Sequence, residues 1–138
     1  MVDWMTKDQR SRTMAAIRSR DTRPEIKVRK LVFSLGYRYR LHVSSLPGKP
    51  DLVFPKLHKI IEVRGCFWHR HSCRDGKIPK ANREYWSAKI DRNIRRDLVN
   101  EQRLIQLGWK ALIVWECQTR DAEALKNTLI RFLTGVSD

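Results

Sequence analysis

The feature that most constrains the fold is a long helical segment between two strands. "KIIEVR" begins at Lys59, and "WKALIVW" begins at Trp109 as a nearly all-apolar run typical of a strand buried on both faces. Residues 82–107 between them predict one long helix, which Gly108 ends. A strand, a long helix and another strand imply a crossover connection. The sequence therefore predicts an α/β fold with a mixed central sheet and helices on both sides.

The N-terminal third predicts two helices. Thr6 and Gln9 resemble a capping box, and "KDQRSRTMAAIRSR" follows as a short basic helix. Thr22 and Glu25 repeat that signal for a second helix, which Gly36 closes. Its apolar stripe contains Ile26, Val28, Leu31, Val32 and Leu35.

Further strands and a last helix complete the organisation. "YRYRLHV" predicts a half-buried strand with Tyr37, Tyr39, Leu41 and Val43 on one face. "DLVF" and "KIIEVR" predict two strands joined by the turn "PKLH". Thr119 is predicted to open the last helix, whose apolar side holds Leu125, Leu129, Ile130 and Leu133. With 138 residues, the chain suits one domain.

The chain carries a large positive charge. Its 29 Lys and Arg residues exceed 15 acidic residues, which gives a net charge of +14. Such an excess favours a polyanionic partner, nucleic acid first, over a basic surface without a partner or an anionic membrane. No apolar run approaches the roughly 18 residues that span a bilayer. "MVDWMTKDQR" lacks an apolar signal-peptide core, so a cytoplasmic location is expected.

The cysteines predict a metal site. Cys66, His71 and Cys73 lie close together, and Cys117 follows the second strand of the crossover. Three cysteines are an odd number in an expected reducing compartment, which disfavours a disulfide framework. A Cys3His set is a normal tetrahedral zinc complement without an open position, so the zinc would be structural. The alternative is three buried or idle cysteines and a surface histidine.

Two carboxylates and a cation are predicted to meet at strand ends. Asp51 begins "DLVF", whereas Glu62 and Arg64 share one face of "KIIEVR" because strand side chains alternate. A hairpin would bring the three together as a Mg²⁺-dependent phosphodiesterase requires. His69 is then available as a general base near neutral pH, with Asp97 to orient it. The alternative is a strand-end cap, a surface ion pair and an exposed histidine.

With these residues in place, the chain resembles the very short patch repair endonucleases. The resemblance runs from the N-terminal helix through "VWEC" and is strongest at "RDT", "SLPGKPD", "GCFWH" and "LGWKALIVWEC". It implies a restriction-endonuclease-like fold, whose P-D…E-x-K pattern appears here with Arg for Lys. It also implies one nuclease domain over residues 1–138, with a basic DNA-contacting helix in residues 1–20 and a catalytic core over 21–135. The implied activity is nicking of one DNA strand 5′ to the thymine of a T·G mismatch.

The resemblance also implies roles for individual residues. The family's catalytic aspartate, histidine and histidine partner match Asp51, His69 and Asp97, and a helix glutamate near the metal matches Glu25. The structural zinc ligands match Cys66, His71, Cys73 and Cys117. Residues that insert into the DNA or contact the mispaired bases match Met14, Phe67, Trp68, Trp86, Lys89 and Asn93. Exposed aromatics among basic residues suit such stacking, although core packing is the alternative for Trp86.

Three positions depart from the usual family pattern. Val63 and Arg64 stand where Thr and His usually precede the "GCFWH" glycine, and Glu62 replaces an apolar residue. The expected Mg²⁺ ligands are therefore Asp51, Glu62 and the backbone carbonyl of Val63, with Arg64 added to the catalytic residues. A pairing of Glu62 with Arg64 away from the metal, with Asp51 and backbone carbonyls sufficing, is the competing arrangement.

These expectations define a function and its rivals. The expected partners are mismatched double-stranded DNA and other mismatch-repair proteins, with no membrane, and the chain is expected to be monomeric and nucleoid-associated in a bacterial cytoplasm. One rival is a Mg²⁺-dependent nuclease of the same fold with another DNA target. The other is a zinc-stabilised DNA-binding module without turnover.

Overall fold

The computed structural model describes residues 21–66 and 81–135. In chain order, these residues form α1 (Arg23–Ser34), β1 (Arg40–Leu41), β2 (Leu52–Phe54), β3 (Lys59–Arg64), α2 (Arg83–Gln106), β4 (Lys110–Trp115), a 3₁₀ segment (Glu116–Arg120) and α3 (Ala122–Thr134). The basic helix predicted in residues 1–20 lies outside this part of the chain. Among the described helices, none has the length and apolar character needed to cross a membrane.

The four strands form one mixed sheet in the order β1-β2-β3-β4. β1 pairs with β2 and β2 pairs with β3 in antiparallel fashion, whereas β3 and β4 are parallel. The parallel register runs from Lys59 opposite Lys110 to Arg64 opposite Trp115. The helix α2 connects these two strands, so the predicted crossover and mixed sheet are confirmed.

Helices cover both faces of the sheet, as the sequence predicts. On one face, α1 and α3 pack against residues of β2, β3 and β4; this cluster includes Val28, Val32, Leu52, Phe54, Ile61, Val114, Leu125, Leu129 and Leu133. On the other face, Leu104 of α2 packs against Val53 and Ile60. Alternation along β3 therefore sends Ile61 and Val63 towards α1 and α3, and Ile60 towards α2.

The start of α1 and the end of α2 follow the expected caps. The Thr22 hydroxyl accepts a hydrogen bond from the Glu25 N–H at 3.4 Å, which makes Thr22 the N-cap of α1. The carboxylate of Glu25 accepts from the Asp21 N–H instead of returning to Thr22. Gly108 follows α2 with a φ of 88°, a left-handed conformation in which Gly carries no steric penalty. These boundaries agree with the predicted helix ends.

The prediction for "YRYRLHV" was wrong in its extent and its face. Only Arg40–Leu41 forms a strand, and His42 adopts a left-handed φ of 48°. This turn of the backbone ends the alternation of side chains. Tyr37 and Tyr39 pack against the cluster of α1 and α3, whereas Val43 packs on the α2 face. The side chain of Leu41 is exposed.

Two predictions for the C-terminal part were also wrong. β4 is not buried on both faces, because Lys110 and Ala111 are exposed and only Val114 within it is fully buried. The last helix begins after Asp121, whose carboxylate accepts from the Ala124 N–H, and not at Thr119. The Thr119 hydroxyl instead donates to the Glu116 carbonyl within the 3₁₀ segment.

Candidate active site

Asp51 lies where the β2–β3 ladder ends. The last paired residues of that ladder are Leu52 and Ile61. Asp51 directly precedes Leu52, and Val63 lies two residues after Ile61. The Val63 N–H donates to the Asp51 carboxylate, with 2.7 Å between N and Oδ2. The side chain of Asp51 therefore accepts the hydrogen bond that a longer β2 would have taken from β3. A backbone donor fixes this oxygen at the edge of the sheet.

Burial sets the ionisation of Asp51. Removal of the carboxylate from water raises its pKa above the ordinary value. The hydrogen bond from Val63 and the charges of His42, Arg29 and Arg64 oppose that rise but do not cancel it. Asp51 is thus a half-buried carboxylate with too little positive charge around it, a condition that a bound cation would relieve.

Glu62 and Arg64 share the α2 face of β3, as the strand periodicity predicts. One guanidinium nitrogen, Arg64 Nη2, lies 2.7 Å from Glu62 Oε2 and 2.7 Å from Glu101 Oε1. Arg64 Nε lies 3.9 Å from the Asp97 carboxylate. We call Glu62, Arg64, Asp97 and Glu101 the Arg64 cluster. One buried cation here serves three carboxylates.

Each member of the Glu62–Arg64 pair changes the ionisation of the other. Burial raises the pKa of Glu62, and the guanidinium of Arg64 limits the rise, while the negative charges of Asp51 and Asp97 add to it. Burial acts to lower the pKa of Arg64, but the surrounding carboxylates of Glu62 and Asp97 more than compensate and raise it. Arg64 therefore stays charged at any physiological pH. One residue beyond the last pair of the β2–β3 register, Asp51 comes opposite Glu62, so the two predicted metal-binding carboxylates lie near each other.

Helix α2 supplies the carboxylates that face Arg64. Trp86, Ile90 and Leu104 are its fully buried residues, at spacings that mark the side of the helix towards the sheet. Asp97 and Glu101 continue that side between Ile90 and Leu104 and are only partly exposed. The inner face of α2 therefore changes from apolar to acidic where it passes β3.

A second charged group also lies beside Asp51, and we call it the His42 cluster. It is formed by Asp21, Glu25, Arg29 and His42. Glu25 is 2% exposed, and its Oε2 contacts both the Arg29 guanidinium and His42 Nε2, the latter at 2.9 Å. Arg29 also pairs with Asp21. His42 Nε2 lies 3.8 Å from Asp51 Oδ1. The predicted helix glutamate thus reaches Asp51 through His42.

Four residues of these clusters are absent from the sequence-based site. Glu101 had a usable signal, since it lies one helical turn after Asp97. Asp21 and Arg29 are each four residues from Glu25 in the sequence, and Asp21 belongs to the quoted "RDT". His42 had no signal, because its approach to Glu25 depends on a left-handed backbone and on the packing of α1 against the sheet.

Cys66 and Cys117 lie side by side. The parallel register places Arg64 opposite Trp115, so residues two positions further along both strands emerge at the same edge. The Cys117 N–H donates to Cys66 Sγ at 3.4 Å, and Cys66 is buried. The structure therefore brings together two of the four predicted zinc ligands, from the two ends of the crossover. His71 and Cys73 lie outside the described residues.

Comparison with known proteins gives the family. The family model described as DNA mismatch endonuclease Vsr matches residues 2–75, more than half of the chain. The chain belongs to the Vsr family. Membership makes it a DNA endonuclease of the mismatch-repair class.

Individual Vsr relatives cover nearly the whole chain. The DNA mismatch endonuclease Vsr of Escherichia coli is 42% identical over 125 residues, which is 91% of this chain and 80% of that protein. The type II nicking enzyme V.XorIIP of Xanthomonas oryzae is 45% identical over 133 residues, 96% of this chain and 98% of its own. V.NmeAIP of Neisseria meningitidis, also a type II nicking enzyme, is 40% identical over 138 residues, 100% of this chain and 99% of its own.

The residues that the Vsr resemblance assigns to DNA lie partly on α2. Trp86 is fully buried and makes an edge contact with Tyr85, with ring centroids 4.9 Å apart. This position agrees with core packing, and insertion between bases would require its release from the core. Lys89 and Asn93 follow Trp86 by three and seven residues on the same side of α2, and Asn93 accepts from Arg96 at 3.1 Å.

The other sequence-predicted site residues belong to segments that the structure does not describe. They are the general base and the zinc ligands of the Cys-rich loop, together with the inserting residues: Met14, Phe67, Trp68, His69, His71 and Cys73. Their roles stay predictions.

Proposed function

We propose that this Vsr-family endonuclease nicks one DNA strand 5′ to the thymine of a T·G mismatch, with Mg²⁺ in catalysis and Zn²⁺ in structure. The observation that carries the proposal is the position of Asp51. Its carboxylate is held by the Val63 N–H at the edge of the sheet, between the Arg64 and His42 clusters. This arrangement puts a carboxylate of raised pKa next to a second carboxylate and a permanent cation.

The described residues fit a Mg²⁺ ion. Asp51, Glu62 and the Val63 carbonyl would hold it through hard oxygen atoms, which this ion prefers. In an extended strand, the N–H and C=O of one residue face the same neighbour, so the Val63 carbonyl faces the side on which Asp51 lies. When bound, Mg²⁺ would supply an acidified water and neutralise phosphate charge. The ion would also offset the burial that raises the pKa of Asp51 and Glu62.

The remaining chemistry falls to side chains. His69 accepts the proton of the attacking water, and Asp97 holds the imidazole in the orientation that this transfer needs. Arg64 stabilises charge on the phosphate as the bond to the leaving oxygen breaks. Glu62 and Glu101 keep its guanidinium at the sheet edge. In the competing arrangement, Glu62 serves only this ion pair, and Asp51 with backbone carbonyls holds the metal.

Zn²⁺ would stabilise the loop that follows β3. Cys66 and Cys117 already lie together, and thiolates in such sites commonly accept backbone N–H groups like that of Cys117. His71 and Cys73 would complete a closed tetrahedral site. We expect one equivalent of zinc in purified protein and a lower unfolding temperature for Cys117→Ser. Active protein without zinc would contradict a structural site.

Recognition of the mismatch would use stacking. Phe67 and Trp68 follow Cys66 directly, so a zinc-bound loop would present them beside the active site. Insertion of aromatic residues costs a few kcal/mol of unstacking per base step, and the cost is lowest at a weakened pair. Met14 would insert from the other groove, while Lys89 and Asn93 on α2 would contact the mispaired bases. The net charge of +14 supplies the non-specific attraction to duplex DNA.

A second candidate is nicking at another DNA target. It is favoured by Glu62, Val63 and Arg64, which stand in the active site where the family usually has other residues. The names of the relatives also differ, since one is a DNA mismatch endonuclease and two are type II nicking enzymes.

The test compares single-turnover nicking of T·G, the other mismatches and matched duplexes, each in many flanking contexts, at fixed Mg²⁺ and salt. We expect cleavage of the thymine strand at T·G to be faster than cleavage of a matched duplex by at least about 10³-fold, the scale of strong sequence discrimination by DNA-binding proteins. The Asp51→Asn variant, assayed on every substrate, gives the background nicking rate. Equal rates on T·G and matched duplex would contradict mismatch specificity but leave the endonuclease assignment intact.

A further inference from the structure

We propose that His42 is a positioning residue for Asp51. Its imidazole N–H holds the Glu25 carboxylate next to Asp51, and this fixes the start of α1 relative to the end of β2. The proposal deepens the proposed function, since it rests on Asp51 as a metal-holding carboxylate.

The backbone of His42 is already tied to Asp51. The His42 N–H donates to the Asp51 carbonyl, with 3.2 Å between N and O. The φ of 48° at His42 is left-handed, a conformation that is uncommon outside Gly and that favours Asn, Asp and His among the other residues. A strained backbone conformation persists only where the surrounding structure holds it, and such positions cluster at functional sites. The turn at His42 ends β1 and brings its ring to α1.

The ring of His42 lies between two carboxylates. Its Nε2 is 2.9 Å from Glu25 Oε2 and 3.8 Å from Asp51 Oδ1. Ionised carboxylates only accept hydrogen bonds, so Nε2 carries the hydrogen and donates it to Glu25. The longer distance exceeds a hydrogen bond, so His42 acts on Asp51 through its dipole or charge and through the space that its ring occupies. The side chain is 14% exposed, which limits screening by water.

Glu25 is a rigid partner for this ring. Its Oε1 accepts from the Asp21 N–H at 3.2 Å, and its Oε2 also contacts the Arg29 guanidinium. A carboxylate held by these two other groups stays in place when the ring of His42 is displaced. His42 therefore sets the position of Asp51 relative to a fixed point, and the Val63 N–H sets it from the opposite side.

Loss of the N–H would leave the Glu25 and Asp51 carboxylates facing each other without the donor that now lies 2.9 Å from Glu25 and 3.8 Å from Asp51. Like charges at that distance repel, so Asp51 would leave its position. Removal of groups that orient metal ligands commonly weakens metal binding about 10–100-fold. The expected consequence is therefore weaker binding of a divalent cation at Asp51.

The experiment measures Mn²⁺ affinity by electron paramagnetic resonance of the free ion, with the zinc-containing protein. His42→Asn tolerates the left-handed backbone but is too short to bring its amide to Glu25, whereas His42→Gln has the reach. We expect a Kd about tenfold higher for His42→Asn and within about threefold of wild type for His42→Gln. The matched controls are His58→Asn and His58→Gln. His58 is exposed, has a φ of 54° and stacks on Trp109, so it shares the backbone conformation but not the site.

Each outcome decides. Wild-type affinity in His42→Asn would overturn the proposal, and so would equal weakening in both His42 variants, because the reach of the N–H would then be irrelevant. Weakening in the His58 variants as well would assign the effect to the backbone and overturn it too. Thermal unfolding and zinc content confirm that each variant is folded. The Asp51→Asn variant distinguishes a failure of the His42 proposal from a failure of the proposed function. Unchanged Mn²⁺ binding in this variant would show that Asp51 does not hold the metal, which would contradict the proposed function.

Discussion

Asp51 and Glu62 lie near each other at one edge of the sheet, but they are held in different ways. Asp51 accepts from a backbone N–H that cannot rotate away or lose its proton. Glu62 accepts from the Arg64 side chain, which Glu101 and Asp97 also engage. The backbone therefore fixes the position of the Asp51 carboxylate. The Glu62 carboxylate is free to bind another group only to the extent that Arg64 releases it. In the proposed metal site, the Asp51 carboxylate is already held by the fold, whereas metal binding by Glu62 would compete with its ion pair to Arg64.

Among the variants of the Arg64 cluster, the largest expected effect comes from Arg64 itself. Arg64→Ala removes the cation that Glu62, Asp97 and Glu101 share and the charge proposed to act at the phosphate, so we expect the single-turnover nicking rate to fall about 10²-fold. Arg64→Lys keeps a charge and should stay within about tenfold of wild type. The control is Arg38→Ala, an exposed arginine with the same change in net charge. Equal losses of nicking rate in the lysine and alanine variants would show that the planar geometry of the Arg64 guanidinium is required and that a positive charge alone is not sufficient.

A smaller effect concerns stability and sharpens the contrast at Asp51. Because burial raises the pKa of Asp51, protonation stabilises the fold; this contribution is complete below the unfolded pKa and is lost as pH rises through the raised folded pKa. At pH 7, the ionised carboxylate is therefore destabilising. Asp51→Asn keeps an acceptor for Val63 and should raise the free energy of unfolding by about 0.5–2 kcal/mol, as stabilising substitutions commonly do.

Chemical unfolding without added Mg²⁺, at several pH values from 8 down to about 4, the ordinary pKa of Asp, measures this gain. The gain should be largest at high pH and shrink as the pH falls towards the folded pKa of Asp51. The control is Asp121→Asn at the start of α3, where Asn also caps and no burial is involved. Destabilisation by Asp51→Asn at pH 7 would mean that the hydrogen bond from Val63 needs a full negative charge.

The smallest expected effect comes from Glu101. Glu101→Gln removes one of three carboxylates around Arg64, and this carboxylate is partly exposed. The expected loss is at most about 1 kcal/mol of stability, as for other solvent-accessible ion pairs, with the nicking rate within about threefold of wild type. Glu123→Gln in the exposed first turn of α3 controls for the charge change. A loss of activity as large as in Arg64→Ala would make Glu101, and not Glu62, the residue that places the guanidinium.

The same contrast explains what the sequence could predict. Strand periodicity is local, and it places Glu62 and Arg64 on one face and Val63 on the other, as found. The stop signal of Gly108 is also local, so the C-terminal end of α2 agrees with the prediction. The bond from Val63 to Asp51 depends on where β2 stops in its register with β3, which composition does not encode.

The His42 cluster escaped prediction for a related reason. The alternating pattern of "YRYRLHV" predicts a continuous strand, but the left-handed His42 interrupts it. The left-handed conformation brings the His42 ring to Glu25 only because α1 packs against the sheet, which is a property of the tertiary structure. Burial of Trp86 is another tertiary outcome, since an aromatic residue on an amphipathic helix suits either a core or a DNA surface.

The difference between a fixed and a shared carboxylate is tested most directly by single-turnover nicking of a T·G duplex across a Mg²⁺ series, with Mn²⁺ in parallel. We expect Asp51→Asn to show no nicking above background at any metal concentration. Glu62→Gln should nick slowly and regain part of its rate at high Mg²⁺ or with Mn²⁺, since one oxygen remains for the metal or for Arg64. A wild-type rate and Mg²⁺ dependence in Glu62→Gln would show that Glu62 serves only the ion pair. Recovery of Asp51→Asn at high metal would contradict the central role of Asp51.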